Sequence, residues 1–225
     1  MLYLKLKYFF DILFAIMGLI ITSPLIIITS ILVKIKLGSP IFFIQKRPGL
    51  RGKIFHLIKF RTMHNKKDEF GELLNDDSRL TSFGRWLRET SIDEIPTILN
   101  IIKGEMSFVG PRPLTQNNFS YYSNAQQSII ISVRPGLSGV GSIIFRAEEN
   151  LLVDIGSARN VYTKHIATYK AALECWYVKN RSFKLNMLLI LETVLVVIFP
   201  KRKNLSWLKH DLPKANKHLD AIMNK

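Results

Sequence analysis

From Tyr8 to Val33 the chain is almost wholly apolar, interrupted by Asp11, Thr22, Ser23, Pro24, Thr29 and Ser30. As a straight helix of about 25 residues this stretch reaches roughly 37 Å, enough to cross a bilayer. No small-x-small site comes after it, so it does not read as a cleaved leader. Two features argue against a simple crossing. Lys5 and Lys7 precede the stretch and Lys34 and Lys36 come after it, so the basic flanks are matched instead of asymmetric. Pro24 falls in the interior, where it removes a backbone donor and crowds the carbonyl four residues back. The Ser23 hydroxyl beside it can serve that freed carbonyl, a device tolerated in membrane helices. A kinked re-entrant helix that enters and leaves on the cytoplasmic face fits both features, with an ordinary spanning helix open as the alternative.

Size and charge bound the remainder of the chain. At 225 residues a single domain is the default. The 32 Lys+Arg stand against 17 Asp+Glu, a net charge of +15, which calls for polyanionic partners: acidic lipid headgroups, phosphorylated substrates or nucleic acid. Cys175 stands alone, so no internal disulfide can form and a reducing, cytosolic setting is expected. The histidines at 56, 64, 165, 210 and 218 show no ligand spacing with one another or with Cys175, which argues against a zinc site.

Along the chain, Ile41 to Ile44 reads as a strand, Arg47 to Lys53 as a basic turn, and Ile54 to Met63 as a second strand. Alternation there places Lys59 and Arg61 on one face. Asn65 to Asp77 reads as a loop or short helix, and Ser82 to Arg88 as a helix with Arg85 and Arg88 on one side. Met106 to Val109 reads as a short strand leading to the rigid turn Gly110-Pro111-Arg112-Pro113. Asn117 to Ser128 reads as helical. Arg134 to Gly141 is a Gly-rich turn without phosphate-loop or dinucleotide spacing, leading to an expected strand from Ser142 to Phe145 and then Arg146. Ala158 to Val178 has helical periodicity. Leu185 to Phe199 is apolar but too short to cross, a core helix or one lying in the membrane interface.

Chemistry concentrates at Thr90-Ser91-Ile92-Asp93-Glu94-Ile95-Pro96. Ser91 with Glu94 three residues on is a capping-box pattern, which would give Glu94 a purely structural task. Asp93 is not used by such a box. At a helix entrance its ionised form is favoured, and an ionised, positioned carboxylate is a nucleophile towards phosphorus or a ligand for Mg²⁺. The helix starts either at this point or at Pro96, with both acids at its N-terminus in each case.

These blocks together resemble the bacterial sugar transferase family, the monotopic phosphoglycosyl transferases acting on polyprenyl phosphate. The likeness rests on Arg79-x-Thr-x-x-Gly84-Arg85-x-Leu-Arg88-x-Thr-Ser91-x-Asp93-Glu94-x-Pro96, then Asn100, Gly104, Met106-Ser107 and Val109 through Pro113. Lys59 to Met63, Arg134-Pro135-Gly136 and Trp176-Tyr177-Val178 match further blocks in order, and Ser23-Pro24 matches the family's membrane-helix break. The resemblance implies an α+β fold: residues 1–36 a re-entrant membrane helix, 37–203 a single small cytoplasmic catalytic domain with interfacial amphipathic helices, 204–225 a basic tail. It implies transfer of a phosphosugar from a UDP-sugar to undecaprenyl phosphate on the cytoplasmic face of the bacterial inner membrane. Asp93 is then the nucleophile and a metal ligand, Glu94 its acid/base or orienting helper, and Mg²⁺ the cofactor. Lys59, Arg88, Arg112 and Arg146 are the implied phosphate partners, and no nucleic acid is involved.

The chain also departs from that pattern. Glu174 stands where the family commonly has Asp, and Asn186 and Leu188 replace an acidic and a basic position further on. Gly141-Ser142-Ile143-Ile144-Phe145 replaces the usual Ala-Gln-Val-Asn-Gly, a variation expected to touch nucleotide or sugar choice. Two rival classes account for these residues less well. A membrane-anchored basic binding protein for anionic lipid or nucleic acid accounts for the charge but leaves Asp93 without work. A metal-dependent glycosyl transferase that moves sugar without phosphate would carry an Asp-x-Asp motif, which the chain lacks.

Overall fold

The computed structural model describes residues 2–146, 166–199, 205–208, 210–215 and 219. It is a mixed helix and sheet structure in which the chain forms two compact units, Met1–Gln45 with His56–Gly104, and Lys46–Phe55 with Glu105–Lys225. The elements in order are α1 (Leu2–Leu37), β1 (Phe42–Pro48), β2 (Ile54–Phe60), α2 (Asp76–Arg79), α3 (Ser82–Glu89), a 3-10 turn (Ile92–Thr97), α4 (Ile98–Ile102), β3 (Ser107–Val109), α5 (Gln116–Phe119), α6 (Asn124–Ile130), β4 (Gly136–Ser138), α7 (Val140–Ile144), α8 (Ala167–Asn180) and α9 (Phe183–Ile198).

Helix α1 carries Pro24 inside it and is long and apolar enough to cross a membrane. The missing proline donor would have served the Ile20 carbonyl, and the Ser23 hydroxyl donates to that oxygen at 2.8 Å. Thr22 likewise donates to the Gly18 carbonyl. The apolar run of the sequence is thus one assigned helix extending beyond both ends of 8–33. Asp11 is paired with Lys7 at 2.9 Å, one turn away. One face of α1, through Asp11, Ala15, Thr29 and Val33, is buried, and Ile98 of α4 packs against Gly18. Phe9, Phe14, Ile20, Ile21, Ile27, Ile28, Ile31 and Ile35 remain exposed.

In the same unit Val33, Leu37, Phe60 and Leu87 form a core, with Phe42, Phe83 and Ile92 against it. Burying each such side chain stabilises the fold by about 1.5–3 kcal/mol. Helix α3 lies so close to the chain after β2 that a Cβ on Gly84 would overlap the Thr62 carbonyl. Thr81 caps this helix, accepting from the Gly84 N–H at 2.9 Å. Arg61 is buried and donates to the carbonyls of Leu37 and Ser39, satisfying orphan acceptors at the end of α1.

The second unit is built on a parallel pair, β3 with β4, in the register Ser107↔Gly136 and Val109↔Ser138. A parallel pair requires a crossover, and α5 and α6 supply it. Leu114, Tyr122 and Ile130 meet Ala167, Ala171 and Cys175 of α8 in a second core.

The structure corrects four expectations. The supposed Gly-rich turn contains a strand, β4, because Gly136 and Ser138 complete the β3 ladder, a pairing 29 residues distant in the register and silent in local pattern. The stretch Ser142 to Phe145 is not a strand but lies within and just after helix α7, whose Ile143 and Phe145 amides bond back four residues to Gly139 and Gly141. The helix expected over Asn117 to Ser128 is two helices, each with its own cap at Thr115 and Ser123. Strand β1 runs through Arg47 and Pro48, so the basic turn is confined to Gly49–Lys53. The helix expected from Ala158 is described from Ala167; its first part lies outside the described residues, as does half of 204–225.

Candidate active site

Asp93 and Glu94 sit in the first turn of the 3-10 segment, and Pro96 lies inside that turn, not at the start of α4. The capping box does not form. Ser91 is in the left-handed region at φ 57°, its side chain makes no cap hydrogen bond, and only the backbone Glu94 N–H reaches the Ser91 carbonyl. The Glu94 carboxylate is therefore released from the cap and pairs with Lys59 of β2 at 2.5 Å, each side chain about a fifth exposed at 21%. Asp93 is buried, at 8% exposure.

The turn is held against β2 by side chains that replace a neighbouring strand. Asn100, wholly buried, accepts from the Ile58 N–H at 3.1 Å and donates to the His56 carbonyl at 2.7 Å. Thr97 donates to the Ile58 carbonyl at 2.9 Å. Three backbone groups of β2 are satisfied this way, which fixes Lys59 opposite Glu94. Neither role was foreseen from sequence; the signal available was the position of Thr97 and Asn100 one and two turns after the acids. Arg88, from α3, directs its Nε to Thr62 Oγ1 at 3.2 Å in the same unit.

Arg112 and Arg146 belong to the second unit. Arg112 is carried between Pro111 and Pro113 on the turn after β3, and its Nη1 lies 3.4 Å from Ser142 Oγ. Glu174 of α8, at 3% exposure, accepts the Arg112 backbone N–H through Oε1 at 3.2 Å. Burial pushes the Glu174 carboxyl up to about 7, opposed by that hydrogen bond and by the charges of Lys170 and Arg112. Lys170, one turn earlier and also buried, has its ammonium 4.9 Å from the centre of the Phe145 ring.

Asn186 takes no ionised role. It accepts from the Tyr177 hydroxyl at 2.8 Å, which also reaches the Val109 carbonyl at 3.1 Å, so it ties α9 and α8 to the end of β3. Glu192 is buried in α9 and receives the Leu205 N–H and the Trp207 indole N–H.

A hard cation bound together with a diphosphate needs only one or two protein carboxylates. The buried Asp93 beside the half-buried Glu94 provides that donor set, while no group of three or more His, Cys, Asp or Glu side chains stands together among the described residues. The residues thus fit Mg²⁺ held jointly with a substrate and not an all-protein metal cage. Chemically, the first unit offers a buried carboxylate, a second carboxylate oriented by an ammonium, and the Arg88 guanidinium against Thr62. The second offers a rigidly mounted arginine over a buried acid.

A family model described as bacterial sugar transferase matches residues 2–200. The uncharacterized sugar transferase EpsL of Bacillus subtilis is 42% identical over 193 residues, covering 86% of this chain and 87% of that protein. The exopolysaccharide production protein ExoY of Rhizobium meliloti is 34% identical over 202 residues, 82% of each. The undecaprenyl-phosphate galactose phosphotransferase of Salmonella typhimurium is 33% identical over 210 residues, 86% of this chain and 41% of that protein.

Proposed function

The chain belongs to the bacterial sugar transferase family, and from that premise we propose that it transfers a phosphosugar from a UDP-sugar to undecaprenyl phosphate through a covalent Asp93 intermediate. The product would be an undecaprenyl-diphosphate sugar, with UMP released, as the first membrane step of a bacterial glycoconjugate. The observation that carries this reading is the division of labour in the acid pair: Asp93 is buried and Glu94 is tied to Lys59.

In the first half-reaction an Asp93 oxygen attacks the sugar-side phosphorus. The bond from that phosphorus to the bridging oxygen breaks, and UMP leaves with the electron pair. In the second, an oxygen of undecaprenyl phosphate attacks the same phosphorus and the Asp93 carboxylate departs unchanged. Burial strips water from Asp93 and strengthens its electrostatic interactions with the reacting group. The Lys59 ammonium holds Glu94 in one orientation, from which it can take or return a proton on the attacking or leaving oxygen. Arg88, Arg112 and Arg146 are assigned to the phosphates, where a guanidinium offers a planar fork to two oxygens. Mg²⁺, held with Asp93, would neutralise diphosphate charge.

The same reading places the catalytic domain on the cytoplasmic face of the inner membrane, with α1 as a re-entrant anchor. Support comes from the matched lysines, from the Ser23 hydroxyl serving the carbonyl that Pro24 frees, and from α4, next to the acid pair, packing against the middle of α1 at Gly18. The decisive experiment is isotopic. Phosphorus label in the sugar-side phosphate of the UDP-sugar should end on the lipid; label retained in UDP would mean plain glycosyl transfer and overturn the proposal.

A further inference from the structure

Glu174 and Gly141 meet in a way that neither residue predicts alone. The carboxyl of Glu174 is almost fully buried, yet among the described residues only Oε1 has a hydrogen-bond partner, the Arg112 N–H, and Oε2 is buried with none. A buried acid with an unpaired oxygen is costly, and an apolar side chain would fill the same space without that cost. Gly141 is what makes room for it: a Cβ at position 141 would overlap Glu174 Oε1 and come within 3.2 Å of its carboxyl carbon. Arg112 is bound from a second side, since Ser142, the residue after Gly141, lies against its guanidinium. Pro111 and Pro113 restrict the backbone on either side, so a pull on the Arg112 N–H reorients the residue as a unit.

We propose that Glu174 and Gly141 act as one positioning device, in which the carboxyl group, packed into the space Gly141 leaves, holds the Arg112 backbone and thereby sets where its guanidinium meets a nucleotide diphosphate. Among the described residues the charges acting on it are Arg112 from the turn and Lys170 from its own helix; Gly139 lies beside Oε2, and Ser142 lies on the Arg112 guanidinium. The inference rests on the assignment of Arg112 to the donor's phosphates. It concerns reach more than charge: the acceptor must span from α8 to the turn.

The probe is UDP, whose affinity for the full-length protein in lipid nanodiscs is read by calorimetry beside thermal unfolding. Glu174→Asp, one methylene short, should weaken UDP by about tenfold. Glu174→Gln, which keeps an acceptor at full reach, should lose less. Gly141→Ala should weaken UDP or prevent folding, and adding Glu174→Asp to it should relieve the overlap and bring UDP affinity to that of Glu174→Asp alone, less than the sum of the two losses. Strictly additive effects, or a double variant worse than both singles, would overturn the proposal, as would melting temperatures that fall while UDP affinity in the folded protein stays the same. A Gly141→Ala chain that cannot fold with or without Glu174→Asp would overturn it too. Arg112→Ala separates the two layers of argument. If it leaves UDP affinity unaltered, the phosphate assignment fails and this proposal with it. If it weakens UDP while the Glu174 variants do not, only the positioning role falls.

Discussion

The Lys59 ammonium and the Glu94 carboxylate lie 2.5 Å apart across β2 and the acid turn, leaving Asp93 as the buried neighbour outside that pair. This predicts unequal variants. Glu94→Gln should cripple turnover, measured as UMP release, while the protein stays folded. Lys59→Ala should do the same by freeing Glu94. Because each side chain is about a fifth exposed, solvent screens the pair and its loss should cost only on the order of 1 kcal/mol in unfolding experiments.

Asn100 should behave in the opposite sense, with stability leading and activity coming second. Its wholly buried amide serves both the Ile58 N–H and the His56 carbonyl. Asn100→Ala takes the partner from two part-buried backbone groups, at about 1 kcal/mol each, and leaves a void where a wholly buried side chain stood. A large drop in unfolding temperature is expected, and Asp93 chemistry should fail in proportion to the fraction unfolded. A stable Asn100→Ala protein would mean that β2 finds other partners.

These two cases show what the sequence could convey. The long apolar helix, the Ser23 hydroxyl serving the carbonyl that Pro24 frees and the turn carrying the two acids were legible because each depends on neighbours within one or two turns. Glu94 was misread in part for the same reason: a local pattern, Ser91 to Glu94, competed with a partner 35 residues away, and the distant lysine won once Ser91 took a left-handed backbone. Strand β4 and the contact between Gly141 and Glu174 were invisible because each joins residues far apart in the chain, beyond the reach of any local pattern. The departures at positions 141 and 174, separate in the sequence, become one contact in the fold.

Glu174 predicts a pH dependence. Its carboxyl is raised by burial from 4.5 to about 7 in the folded chain, so between those values the folded state binds a proton that the unfolded state has lost. Its contribution is fully present below about pH 4.5 and is lost as pH rises through about 7, a change of about 3 kcal/mol in all. Unfolding free energy should decline over that window in the native protein. Glu174→Gln should flatten the decline, and an unchanged profile would show that Glu174 ionises freely.

The anchor can be tested in intact cells. Leu2→Cys and Lys36→Cys place thiols at the two ends of α1, while the native Cys175 is buried and should stay silent. With both ends on the cytoplasmic side, an impermeant maleimide should label neither until the membrane is opened. Labelling of one end alone in intact cells would establish a spanning helix and remove the re-entrant reading.

The proposed covalent intermediate gives the sharpest test. If the buried Asp93 carboxylate displaces UMP before any lipid arrives, enzyme mixed with a productive UDP-sugar and no undecaprenyl phosphate should gain the mass of one phosphosugar. It should release UMP in a burst equal to the enzyme present. Peptide mapping should find the adduct on Asp93, and undecaprenyl phosphate should remove it. Asp93→Asn should abolish both adduct and turnover, because an amide oxygen neither attacks phosphorus competently nor departs as a carboxylate. Direct attack by the lipid phosphate, with Asp93 only orienting a cation, predicts no UMP until both substrates are present. Because acyl phosphates hydrolyse readily, the kinetic pattern decides where trapping is incomplete. Varying both substrates should give parallel double-reciprocal lines, and intersecting lines would replace the two-step mechanism with a single displacement.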